Sequence, residues 1–158
     1  MTMTITNKLL VTLVLAAPGL GGSALAAGGD AAVIVELTQV PCQFLESEQG
    51  TNHGYRSTKI QDCEAINAKS GASRVQTAKT LQLKPGKTIF RVTNKDVPYE
   101  LGFWLRGQGI AGRVTLPSVS GGGLLTGKTQ DYVIDLQPGE YVYSCPLNPT
   151  PDYRLVVN

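Results

Sequence analysis

Three cysteines, Cys42, Cys63 and Cys145, and one histidine, His53, are the side chains of this 158-residue chain best suited to soft-metal, redox or nucleophilic chemistry. An activated Ser or Cys needs a base within reach, and the sole imidazole sits between Asn52 and Gly54 in a polar stretch. No catalytic constellation forms around it, so the chain reads as a non-enzyme. His53 itself is either a solvated loop side chain or a metal ligand. Cys42 and Cys63 flank the polar stretch, and a bridge between them would pin it, adding ~3 kcal/mol by restricting the unfolded chain. The alternative sets Cys42, at the end of a first strand, beside Cys145, at the end of the penultimate one. These two would then form a disulfide or supply two soft ligands for copper or another thiophilic metal. An odd cysteine count leaves at least one thiol unpaired.

A second constellation fails on context. Gly122, Gly127, Lys128 and Thr129 match the spacing of a phosphate-binding loop. Such a loop requires a following helix whose N-terminus cradles the phosphates, whereas Gln130 to Leu136 alternates polar and apolar residues like a strand.

The N-terminus carries Lys8, an apolar run from Leu9 to Ala17, a Pro18-Gly19 break and then Ala24-Leu25-Ala26. This pattern predicts a signal peptide over residues 1 to 26, cleaved after Ala26. The run is too short to span a bilayer, and no cysteine follows it for lipid attachment, so no membrane insertion is expected after cleavage. The destination is periplasmic or secreted, where a disulfide persists. Loss of Lys8 leaves 13 cationic against 12 anionic side chains, which gives no electrostatic case for nucleic acid. Residues 27 to 158 are long enough for one domain with one core.

Short runs rich in Val, Ile, Thr, Tyr and Phe, separated by Gly and Pro, predict an all-β sandwich of about seven to eight strands. They are Val33 to Val40, Thr80 to Leu83, Thr88 to Asn94, Tyr99 to Leu105, Gln130 to Leu136, Glu140 to Cys145 and Tyr153 to Val157. Arg113 to Leu116 is a brief further pairing within a glycine-rich, loop-like stretch. Lys84-Pro85-Gly86-Lys87 predicts a type II turn, and Gln137-Pro138-Gly139 a second Pro-Gly turn. Residues 43 to 78 break the pattern and read as an insertion over one end of the sandwich. It holds a short helix from about Asp62 to Lys69, with Asp62 as N-cap.

The run from Leu83 to Asn94, followed by Glu100 and then by Leu136 to Cys145, resembles the cupredoxin superfamily, and most of all its EfeO-type cupredoxin-like domain. The likeness covers the first strand and residues 80 to 158. It implies a Greek-key β-sandwich. A blue-copper centre takes two imidazoles, a thiolate and usually an axial Met. Here Tyr99 stands where one histidine would be, and Asn148 to Asp152 stand where the second histidine and the methionine would fall, which argues against electron transfer. The EfeO-type likeness instead implies a site of Cys42, Glu100, Glu140 and Cys145 for a copper or iron ion, with a metal-uptake or delivery protein as partner. The expected function is therefore periplasmic metal handling without a blue-copper site. The alternative is a metal-free structural or protein-interaction module on the same scaffold.

Overall fold

A computed structural model describes residues 31–158 of the protein; the expected signal peptide lies outside them. The strands are β1 (Val33–Val40), β2 (Gln43–Phe44), β3 (Leu81–Leu83), β4 (Gly86–Asn94), β5 (Leu101–Gly107), β6 (Val119–Leu124), β7 (Thr129–Leu136), β8 (Gly139–Ser144) and β9 (Tyr153–Val157). Two α-helices interrupt them among the described residues, α1 (Ile60–Thr77) and α2 (Gly109–Thr115), with a 3-10 turn at Glu46–Glu48. One sheet runs β2-β1-β4-β7 and the other β3-β9-β8-β5-β6. β1 and β4 pair in parallel, as do β3 and β9, and every other pairing is antiparallel. The chain changes sheet at β2 to β3, β3 to β4, β4 to β5, β6 to β7 and β7 to β8. The expected all-β sandwich is the fold observed.

Alternation builds the core between the sheets. In β4, Thr88, Phe90, Val92 and Asn94 are buried, and in β7 Tyr132, Ile134 and Leu136 are, the two-residue period of a strand with one face inward. Phe44, Phe103, Tyr143 and Tyr153 meet in the middle, with Phe44 edge-on to the other three at 5.7 to 6.2 Å between ring centroids. Each such buried ring contributes about 2 to 3 kcal/mol of transfer free energy. Phe44 comes from a stretch whose sequence gave no strand signal; it pairs with β1 through Gln39 and Phe44.

Three local expectations differ from the structure. α1 is 18 residues long and its N-cap is Lys59, not Asp62. The Asp62 carboxylate sits inside the first turn and accepts the N–H groups of Thr58 and Lys59 at 2.8 and 3.2 Å, the position at which an acid satisfies orphan donors. Most of Arg113 to Leu116, expected to pair as a strand, belongs to α2, and the glycine-rich run Val119–Leu124 is the strand instead, along β5. The Pro-Gly turn before β4 has Gly86 at φ +128, a positive value that suits glycine at the third turn position. Lys128 and Thr129 lead directly into β7, so no helix follows the phosphate-loop-like run.

Candidate functional site

β8 carries Cys145 to one end of the sandwich, immediately after Ser144, with its side chain turned into the core. β1 brings Gln39 to the same point, β5 brings Gly102, and the loop between β8 and β9 brings Asn148. These four residues close a ring of hydrogen bonds. Gly102 N–H donates to Cys145 Sγ at 3.4 Å, and Asn148 N–H donates to the same sulfur at 3.2 Å. Gln39 Nε2 donates to the Gly102 carbonyl at 2.8 Å. Asn148 Nδ2 completes the ring at Gln39 Oε1, at 3.4 Å, and donates also to the Val40 carbonyl at 3.0 Å. Gln39 and Asn148 are fully buried. Burial pushes the Cys145 thiol up, opposed in part by the N–H groups of Gly102 and Asn148, so the group is a neutral thiol at neutral pH.

Cys42 is joined to Cys63. Of the two arrangements the cysteines allow, the bridge that pins α1 is the one formed, and Cys145 is the free thiol. This corrects the placing of Cys42 as a soft ligand beside Cys145, because a bridged sulfur has no lone thiolate to offer. Cys42 is held at φ +65, a conformation that costs a non-glycine residue of order 1 kcal/mol and persists only when its surroundings over-determine it. Three tethers do so. Its sulfur is bridged, its N–H donates to Asn148 Oδ1 at 2.8 Å, and its carbonyl accepts Arg74 Nη2 at 2.9 Å.

The remaining expected ligands do not join Cys145. Glu100 is exposed and accepts the Gly123 N–H at 2.8 Å. Glu140 is exposed at the start of β8, about 17 Å along the strand from Cys145 at the usual rise per residue. His53 places Nε2 2.5 Å from Glu48 Oε2 and stacks on Tyr55. Among the described residues, no three His, Cys, Asp or Glu side chains converge in a way that could hold an ion. Tyr99 shares a 2.5 Å hydrogen bond with Ser57. The residues present therefore do not fit the expected copper or iron site.

Sequence reading passed over a second buried cluster. Arg74, near the end of α1, binds Glu48 through Nε at 3.1 Å and Nη2 at 2.5 Å, and Nη1 donates to Asn67 Oδ1 at 2.8 Å. Tyr153 donates its hydroxyl to Glu48. Burial raises the Glu48 carboxyl, but hydrogen bonds from Arg74, Tyr153 and His53 outweigh it and hold the group below the usual carboxylate range. The signal available was spacing alone. Cys63, Asn67, Gly71 and Arg74 fall on one helical face, at intervals of four, four and three.

No protein-family model matches the sequence, and no curated protein does. Among solved structures, the fold is similar to auracyanin B, with TM-score 0.48 and 13% identity over 80% of this chain and 89% of that one. It is similar also to auracyanin A, a "blue" copper protein from Chloroflexus aurantiacus, with TM-score 0.45 and 14% identity over 81% of this chain and all of that one. A multi-copper oxidase from Pediococcus acidilactici matches with TM-score 0.39 and 10% identity over 94% of this chain and 30% of its own.

Proposed function

We propose that this protein is an exported, non-enzymatic interaction module on a cupredoxin-like sandwich, in which the end that would carry copper is closed by protein groups. The observation that carries this reading is the ring of Cys145, Gly102, Gln39 and Asn148. Admitting an ion at the thiol would break the ring, and each buried donor or acceptor left unpaired costs roughly 1 to 3 kcal/mol. Export is supported by the leader-like N-terminus and by the Cys42–Cys63 bridge, since such bridges persist in oxidising compartments.

A second reading retains metal handling, with copper or iron and a metal-uptake or delivery protein as partner. It is favoured by one feature, a free thiol accepting two backbone N–H groups, an arrangement that also stabilises thiolate charge. One experiment separates the two. The mature protein and Cys145→Ser are incubated with Cu(I), Cu(II) or Fe(III), desalted and assayed for retained metal. Neither protein should retain a stoichiometric ion. One equivalent held by the wild type and lost in Cys145→Ser would establish the second reading.

A further inference from the structure

We infer that the outer face of the five-stranded sheet carries a binding site for a small anion bearing carboxylate or phosphate groups. The last turns of α1 stand on one side of this face and α2 on the other, leaving a cavity of about 590 Å³. Its lining includes Arg113 and Arg154, with Gln76, Gln108, Asp152 and Val142 around them. Neither Arg113 nor Arg154 forms an ion pair among the described residues. The one carboxylate in the lining is engaged, since Asp152 accepts Arg106 Nη2 at 2.7 Å. Two unpaired guanidiniums therefore face the cavity together.

The fold sets Arg113 in place. Gly107 and Gly112 press backbone against backbone, so that a Cβ on Gly107 would stand 2.2 Å from the Gly112 carbonyl oxygen. That contact clamps α2 to the end of β5 and fixes the residue that follows Gly112. The guanidinium carbons of Arg106 and Arg113 stand 3.9 and 5.9 Å from the centroid of the Trp104 ring. Arg106 is buried, and its Nε is without a hydrogen-bond partner among the described atoms, an uncommon state for a buried donor. The planar guanidinium fork matches the paired oxygens of a carboxylate or phosphate, and the two glutamines offer neutral hydrogen bonds to the rest of the ligand. The chain as a whole is nearly neutral, so attraction here is local. This site and the Cys145 ring share no residue, and either stands without the other.

Trp104 is the only tryptophan, which makes it a reporter for the test. The protein is titrated with citrate and, separately, with inorganic phosphate at low ionic strength, with sodium chloride as control. Trp104 fluorescence and calorimetry are read in parallel, so that an optically silent ligand is also detected. A saturable signal with either anion, weakened at least about tenfold in Arg113→Ala and Arg154→Ala, supports the site, and the anion that binds names its group. Arg91→Ala, on the other sheet in a pair with Asp131, should bind as the wild type does. No saturable signal beyond chloride, or wild-type affinity retained in either cavity variant, overturns it.

Discussion

Asn148 Oδ1 accepts the Cys42 N–H at 2.8 Å across 106 residues of chain. The Asn148 side chain thereby joins the end of β1 to the loop after Cys145, while the backbone N–H of the same residue donates to the free sulfur. The same Oδ1 is 3.2 Å from Cys63 Sγ, so one residue touches the disulfide through its side chain and the thiol through its backbone. Asn148→Ala should lower unfolding free energy by about 2 to 4 kcal/mol through several buried groups left unpaired. It should also speed the reaction of Cys145 with a thiol reagent under native conditions. Denaturant melts and labelling kinetics check both. An unchanged labelling rate would show that Asn148 does not guard the sulfur.

Mass spectrometry of the non-reduced protein should find one Cys42–Cys63 bridge and one free thiol at Cys145. Replacing both bridge cysteines by serine should cost about 3 kcal/mol, because the unfolded chain regains the freedom of the closed loop.

Arg74→Met leaves the Glu48 carboxylate buried without its main partner, a loss of the order of 3 to 5 kcal/mol for such pairs. Because the folded-state pKa of Glu48 lies below its ordinary value of 4.5, the group contributes stability above that pH. This contribution is lost as pH falls through the folded value. A pH series of melts should therefore show a steeper acid loss in the wild type than in Glu48→Gln.

Cys145 works in the opposite sense. Its folded pKa is raised above the ordinary 9.0, so the folded state keeps the proton longer than the unfolded one. The stability from the neutral thiol is complete below pH 9 and declines as pH rises toward the folded value. Cys145→Ala should lack this alkaline decline, and a decline equal in both proteins would point to another group.

The strands were legible because their residues alternate, as in Tyr132, Ile134 and Leu136 against Asp131, Val133 and Asp135. α1 was legible only in part, because its buried stripe is Cys63, Gly71 and Arg74, which carries no apolar period to detect. β6 was hidden for a similar reason. Its glycines, Gly121 to Gly123, look like a loop, yet a Cβ on Gly121 would stand 3.0 Å from the Tyr132 ring, and the Gly121 backbone lies where a Cβ on Gly102 would be. Cys145 was readable as the surviving member of a ligand set. Gln39 and Asn148 gave no such warning, since an amide becomes structural only when two distant chain segments meet on it.

Helix α1 is fastened to the sandwich at both ends by bonds of unlike kind. Cys63 holds one end by a covalent link that yields to reductant, and Arg74 holds the other by an ion pair that yields to acid. Either agent alone leaves the second fastening intact, so the helix behaves as a latch with two keys. Hydrogen exchange across Ile60–Thr77 should accelerate strongly only when low pH and reductant are applied together, after correction for the intrinsic slowing of exchange in acid.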